Sequence, residues 1–130
     1  ESVRITGETR VTAEDYLAGR VWDDSVCYAF YPIDRHTDTG IHQVYHAEDV
    51  VATVPYRALI PAGARRVLAA GRCISADTDA NSALRVEAPC MATGQAAGAA
   101  AALAVGTGDV SAVSVEALKD SLRALGAIVP

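Results

Sequence analysis

The sequence predicts an α/β protein made of a β-rich first half and a strand–loop–helix–helix second half. The first half, residues 1–61, contains all five tyrosines, the single Phe and Trp, and all three histidines. The second half, residues 62–130, has a short apolar run that stops at Gly71 and an Ala-rich run closed by Gly106. A last segment repeats apolar residues at helical spacing. Taken alone, such a chain is expected to be α+β.

Composition and charge narrow the class of protein. The 130 residues contain 11 Lys+Arg and 16 Asp+Glu, giving a formal net charge of −5. This mild acidity argues against nucleic acid or an anionic membrane as partner, since both attract a basic face. Hydrophobic residues make up 51% but aromatic ones only 5%, and alanine supplies much of the apolar count. Small side chains indicate a backbone that packs close to a helix, another subunit or a flat cofactor.

The elements of the first half follow from local signals. Residues 3–5 and 8–11 flank Gly7 and predict a short strand pair. Thr12 and the acidic residues after it fit a capping box, which predicts a helix over residues 13–19. Strands are predicted over residues 26–33, 43–46 and 50–56, where β-branched and aromatic residues gather. The sequence Asp38-Thr39-Gly40 predicts a turn between them.

The second half predicts a strand, a loop and two helices. Residues 66–70 are typical of a buried parallel strand, and a polar loop is expected over residues 72–88. Pro89 suits the first turn of a helix, which predicts a helix over residues 90–105. Because that helix is apolar all round, we expect it to be buried on every side. Ser114 is a suitable cap for a last amphipathic helix over residues 115–125, ended by Gly126.

The junction between strand and Ala-rich helix is the best candidate for a ligand site. The N-terminus of a helix presents N–H groups without intrahelical partners and a partial positive charge. Gly71 lies at the predicted strand end, where backbone can approach a ligand closely. These residues alone are equally compatible with an ordinary β–loop–α unit that binds nothing.

Several motifs in this region resemble the C-terminal part of FAD-dependent oxidoreductases of the glutathione-reductase-like type. They are VLAAGRCIS at residues 67–75, LRV at 84–86 and CMATGQAAG at 90–98. Upstream, GR at 19–20, YPIDRH at 31–36 and VPYRALIP at 54–61 resemble the same family in the same order. The resemblance covers essentially the whole chain.

The resemblance implies a fold, a cofactor and a reaction. Residues 1–61 would belong to a substrate or cap domain, and residues 62–130 would complete a Rossmann-like FAD-binding domain. The complete enzyme would transfer hydride between a small organic substrate and FAD. The N-terminus of helix 90–105 would stabilise negative charge on the reduced flavin. By position, the resemblance implies that the cofactor is bound by Gly71, Arg72, Cys73, Ile74, Ser75, Arg85, Cys90, Met91 and Ala92.

Two departures limit the resemblance. The family begins with a Gly-rich turn that holds the ADP half of FAD, and no G-x-G-x-x-G occurs in this sequence. We therefore expect the chain to be the closing segment of a longer enzyme, inactive and unable to hold FAD alone. The family also has a histidine where this chain has Thr78, so a role carried by that histidine is in doubt.

His36 and Arg57 are the candidate catalytic residues. His36 carries an imidazole, a side chain suited to proton transfer near flavin or substrate, or else it is a loop histidine held by Asp34 or Asp38. Arg57 suits binding of a substrate carboxylate or, equally, a structural salt bridge. Cys73 and Cys90 are expected to be small buried thiols rather than a redox pair. His42 and His46 have no accompanying carboxylate pattern, and no metal site is predicted.

The sequence also bears on the cellular compartment and on an alternative to the flavoenzyme function. Three cysteines without a C-x-x-C spacing favour a reducing cytoplasm, and residues 91–105 are too short and polar to span a bilayer. The alternative to a flavoenzyme is a stand-alone structural domain that forms a homo-oligomer without cofactor. A small hydrolase is disfavoured because no G-x-S-x-G motif is present.

Overall fold

A computed structural model describes residues 3–130, so the first two residues of the predicted substrate domain lie outside it. The fold is α+β. The helices are α1 (Ala13–Leu17), α2 (Thr78–Leu84), α3 (Glu87–Leu103) and α4 (Val115–Ala124). The strands are β1 (Ser25–Ala29), β2 (Ile33–Thr37), β3 (Gly40–Val44) and β4 (Ala52–Pro55). Short 3₁₀ turns occur at Tyr56–Leu59, Gly71–Cys73 and Val110–Ala112.

The strands form two separate antiparallel pairs, β1 with β4 and β2 with β3. The single strand predicted over residues 26–33 is wrong, because the chain leaves one pair after Ala29 and enters the other at Ile33. Pro32 lies in this link, and a proline has no N–H to donate to a strand ladder. The predicted turn is confirmed: Asp38 and Thr39 join β2 and β3, with Thr37 opposite Gly40.

The predicted strand pair at the N-terminus does not form. Its backbone groups pair with distant segments instead: the Ile5 N–H donates to the Cys73 carbonyl at 2.9 Å and the Val11 N–H to Ser75 at 3.0 Å. The start of α1 is as predicted, since the Thr12 hydroxyl accepts from the Asp15 N–H at 3.1 Å. The helix ends at Leu17, two residues early.

The predicted strand over residues 66–70 and the loop over 72–88 are both corrected. Residues 66–70 are not in a strand, because no described strand lies beside them and only Ala69 donates back, to the Leu59 carbonyl at 2.8 Å. The loop contains helix α2. Asp77 caps it by accepting from the Ala80 N–H at 2.7 Å, while its other oxygen accepts from the Ala13 N–H of α1 at 2.8 Å.

Helix α3 begins three residues before the predicted start, and Pro89 is the third residue of its first turn. This placement is tolerated because N–H groups in the first turn have no intrahelical partner. The helix is not buried on every side as expected. One face buries Pro89, Thr93, Ala96 and Ala100, and the opposite face, which includes Gly98, is exposed because no described element covers it.

Helix α4 confirms the predicted start, with the Ser114 hydroxyl accepting from the Ala117 N–H at 3.3 Å. Leu118 and Leu122 are buried, but Leu125 at the end of the predicted apolar stripe is exposed. Gly126 follows in the left-handed conformation, at φ +81°, as expected for a helix end.

The core is one contiguous cluster that draws on both halves of the chain. Helix α3 packs on β1 and α4, and α2 packs on β2. The largest fully buried apolar side chains are Tyr16, Leu59, Ile60, Ile74, Leu84, Leu118 and Leu122. No helix of the described chain combines the length and the apolar character needed to cross a bilayer.

Candidate functional site

The turn Gly71–Cys73 is fastened to the first turn of α3 by one side chain. The Gly71 N–H donates to the Thr93 hydroxyl at 3.0 Å, and Thr93 donates to the Pro89 carbonyl at 2.7 Å. Gly71 has φ +73°, a conformation that favours glycine. A Cβ added there would lie 3.7 Å from the Cys90 Sγ. The two motifs of the predicted cofactor site therefore meet in space.

A cleft of about 480 Å³ opens at this junction, and we call it the α3 cleft. The N-terminus of α3 faces it through Val86, Glu87 and Cys90, and no side chain caps this helix end. Its lining contains both positively charged arginine side chains and negatively charged carboxylates. The lining residues are Tyr31, Asp34, Arg72, Arg85, Val86, Glu87 and Cys90.

The predicted cofactor residues are divided between this cleft and its surroundings. Arg72, Arg85 and Cys90 line it. Ile74 and Ser75 are buried in the backbone pairing that joins the N-terminal segment to the turn Tyr56–Leu59, and they do not line it. Met91 is 67% exposed on the outer face of α3, and Ala92 packs partly against the core.

The expectation that Cys73 and Cys90 are small buried thiols is wrong. Cys73 is exposed and donates to the Ala70 carbonyl at 3.3 Å, while Cys90 is half-buried and only Cys27 is buried. Burial raises the pKa of Cys90; Arg72 lowers it and Cys73 raises it further. Burial raises the pKa of Cys27 to about 12. Neither Cys27 nor Cys90 is therefore an activated thiolate by its surroundings.

His36 lies on β2 beside Asp34, with its Nε2 3.1 Å from the Asp34 Oδ2. The Arg85 Nη2 is 3.9 Å from the same oxygen, and the Gln43 Nε2 donates to the other oxygen at 3.4 Å. Asp34 is buried, whereas the His36 side chain is 60% exposed. Sequence reasoning treated Asp34 only as a holder of His36. The sequence did contain a signal for the Asp34–His36 pair, because residues two apart on a strand share one face.

Arg57 forms the salt bridge that was the alternative to substrate binding. Its Nε and Nη2 donate to the two Asp24 oxygens at 3.0 and 3.2 Å, and its backbone N–H donates at 2.9 Å. Burial raises the Asp24 pKa, but the hydrogen bonds and charge of Arg57 outweigh burial and leave it lowered. Arg57 lines neither the α3 cleft nor the neighbouring cleft described below. Its predicted catalytic role stays a prediction.

A second cleft, of about 390 Å³, adjoins the first through shared Asp34 and Arg85, and we call it the arginine cleft. It lies between the N-terminal segment, β2 and α2. Its lining residues are Arg4, Asp34, Arg35, His36, Thr78, Asn81, Ser82 and Arg85.

The remaining histidines have structural contacts. His46 stacks against Tyr16, with ring centroids 4.6 Å apart, and its Nε2 is 3.0 Å from the Tyr16 carbonyl oxygen. Within residues 3–130, no group of three His, Cys, Asp or Glu side chains could hold a metal ion.

The structure is an α+β fold with two adjoining clefts that share Asp34 and Arg85. The chain belongs to the FAD dependent oxidoreductase family, whose model matches residues 1–122. FAD is therefore the family's cofactor. Comparisons with characterised proteins and with solved structures gave no match.

Proposed function

We propose that this chain forms the flavin end of the FAD site in an oxidoreductase that transfers hydride between a small organic substrate and FAD. The observation that carries the proposal is the junction of the Gly71–Cys73 turn with the N-terminus of α3. Thr93 holds the two together at the rim of the α3 cleft. We also propose that the chain is related to flavoproteins of the glutathione-reductase-like type and that it forms the C-terminal part of the complete enzyme.

The residues present fit a flat, electron-accepting cofactor. Gly71 offers backbone without a side chain, and α3 offers an uncapped N-terminus. Arg72 and Arg85 bring two positive charges, which the carboxylates of Asp34 and Glu87 formally balance. FAD, when bound, supplies the site that accepts or gives up a hydride. Of the predicted cofactor residues, Gly71, Arg72, Cys73, Arg85 and Cys90 would hold it, while Ile74, Ser75 and Ala92 would support those residues from behind. Met91 would contact the cofactor only through parts of the enzyme that pack on the outer face of α3.

The end of α3 determines which charge the cleft favours. A helix N-terminus carries roughly half a positive charge and stabilises a nearby anion by about 0.3–1 kcal/mol, or up to about 2 kcal/mol when partly buried. Arg72 strengthens this effect. Glu87 weakens it because its carboxylate is in the first turn of the same helix. With FAD bound, the N-terminus of α3 and Arg72 would favour negative charge at this end of the cleft.

His36 is the group that would take or give a proton. Asp34 accepts a hydrogen bond from one ring nitrogen, which fixes the orientation of the imidazole and leaves the other nitrogen directed away from the pair. The exposed ring lines the arginine cleft, so it is accessible to a substrate lying there. Asp34 acts as the positioning residue.

The arrangement of the halves supports a larger assembly around the cofactor. We propose that residues 1–61 face the substrate and residues 62–130 face FAD. Residues 66–70, which are in no strand and include the exposed Val67, and the outer face of α3 are the surfaces on which the rest of the Rossmann-like domain would pack. The unpaired cysteines suit a cytoplasmic enzyme.

The experiment uses the complete gene product that contains these residues. It should purify with bound FAD, and Arg72→Gln should weaken FAD binding at least tenfold, since a charge-assisted hydrogen bond contributes about 1.5–3 kcal/mol. Arg123→Gln on α4 is the matched control, because Arg123 is a half-exposed arginine that lines neither cleft. Flavin fluorescence reports the binding.

Two results would contradict the proposal. One is a folded product that does not bind FAD and instead forms a homo-oligomer. The other is tight FAD binding by residues 1–130 alone, because we expect the ADP half of FAD to be held by residues outside this chain.

A further inference from the structure

We propose that the arginine cleft binds an anionic oxygen group, carboxylate or phosphate, of the organic substrate. The inference deepens the proposed function and rests on it, because the anion is a substrate only if the complete protein is the proposed oxidoreductase. It would make the substrate a small organic acid or phosphate ester, held beside the cofactor by side chains that the chain supplies itself.

The first argument is the concentration of guanidinium groups. Arg4, Arg35 and Arg85 come from three different parts of the chain and line one cleft. Among residues 3–130, Asp34 is the one carboxylate that lines it, and Asp79 pairs with Arg35. Arginine presents five N–H donors in a planar fork that matches two oxygens of a carboxylate or phosphate. Three such groups around one cavity favour an anion with several oxygens.

The second argument is that these groups are already held in place. The Arg35 Nε is 3.1 Å from the Asp79 Oδ1, and the Arg4 Nη2 donates to the Thr78 hydroxyl at 3.1 Å. The Arg85 Nε donates to the Ser82 carbonyl at 3.3 Å. Anchored side chains lose less conformational freedom when a ligand binds, so their contacts contribute more to affinity.

The third argument is position and size. A volume of about 390 Å³ suits a small organic molecule rather than a whole dinucleotide. The cleft shares Asp34 and Arg85 with the α3 cleft, so an occupant of one lies beside an occupant of the other. His36 lines the arginine cleft but not the α3 cleft, which places the proton-transfer group on the substrate side.

Arg35 is the residue that best tests the inference. It is on the exposed side of β2, its side chain is 54% exposed, and it forms an ion pair with Asp79 on α2. Arg35→Gln removes the charge and keeps most of the stem. The control is again Arg123→Gln, since α4 contributes no residue to the cleft.

The experiment titrates the complete gene product with succinate, inorganic phosphate and neutral succinamide, following heat by calorimetry. We expect succinate or phosphate to bind and succinamide not to bind. Arg35→Gln should weaken that binding at least tenfold, and Arg123→Gln should leave it within twofold. Succinate alone identifies a carboxylate substrate, and phosphate alone identifies a phosphate ester.

Three results would overturn the inference. They are equal binding of succinamide, an Arg35→Gln variant that binds the anion as the parent does, and competition between the anion and ADP, which would assign the cleft to the cofactor. FAD binding is measured in the same samples. Retained FAD binding without anion binding refutes this inference alone, and anion binding without FAD binding refutes the proposed function alone.

Discussion

The Asp24–Arg57 ion pair provides a direct test of whether Arg57 is structural. Asp24 is nearly buried, with its side chain 5% exposed, and Arg57 is half-exposed at 49%. Arg57→Met keeps the apolar stem of the side chain and removes both side-chain donors to the two carboxylate oxygens. Asp24 would then keep only the backbone N–H of residue 57 as its partner from that position.

The expected cost is about 2–3 kcal/mol. Hydrogen bonds to a charged acceptor contribute about 1.5–3 kcal/mol each, and we take the low end because solvent screens the half-exposed guanidinium. For a chain of this length, that loss lowers the melting temperature by roughly 7–11 °C. Arg123→Gln breaks an exposed pair on α4 and should cost less than about 0.5 kcal/mol.

Urea unfolding followed by circular dichroism measures both variants. The pH dependence adds a second check. The Asp24 pKa is lowered in the folded state, so its contribution is present above its ordinary pKa near 4 and is lost as pH falls through the folded value. The difference between parent and Arg57→Met should therefore shrink below about pH 4. An Arg57→Met variant as stable at pH 7 as Arg123→Gln would refute this reasoning and leave Arg57 free for a ligand.

Three further outcomes follow from the same contacts. Gly71→Ala should destabilise the protein by about 1–2 kcal/mol, because φ is +73° there and L-residues avoid that conformation; the added Cβ itself would find only ordinary contact, so a neutral result in thermal unfolding would contradict the turn geometry. Ser114→Ala removes the cap of α4 and should cost about 1 kcal/mol by urea unfolding, and no loss would mean that the cap is not formed. With a thiol reagent at pH 8, Cys73 should react first because it is exposed, while Cys27, with a pKa raised to about 12 by burial, should react only on unfolding. Mass spectrometry of the labelled peptides gives the order, and early labelling of Cys27 would contradict it.

Local signals were sufficient for the starts of α1 and α4 and for the hairpin turn. Thr12 and Ser114 cap their helices as predicted, because capping depends on a hydroxyl and an N–H three residues apart. The Asp38–Thr39 turn is likewise set by residues in direct sequence. The motifs around Gly71 and Cys90 were sufficient to indicate the family and FAD, which the family match over residues 1–122 confirms.

Local signals failed where a distant segment decides the pairing. Residues 3–11 were predicted to pair with one another, yet they pair with distant segments: Ile5 and Val11 with Cys73 and Ser75, and Glu8 and Thr9 with Ile60 and Arg57. Helix α2 was predicted as a loop. The Asp77 carboxylate that caps α2 also accepts a hydrogen bond from α1, and this second contact depends on the tertiary fold. Neither contact leaves a periodic trace in the sequence.

The sequence by itself determined that this is a flavoprotein-family chain with a Gly71 turn before an Ala-rich helix. Only the tertiary structure decided how those motifs meet, through the Gly71 to Thr93 hydrogen bond, and that Arg57 is engaged by Asp24. It also brought Arg4, Arg35 and Arg85 around one cleft. Residues far apart along the chain carry no mutual signal, because their interaction depends on distances that exist only after the core has formed.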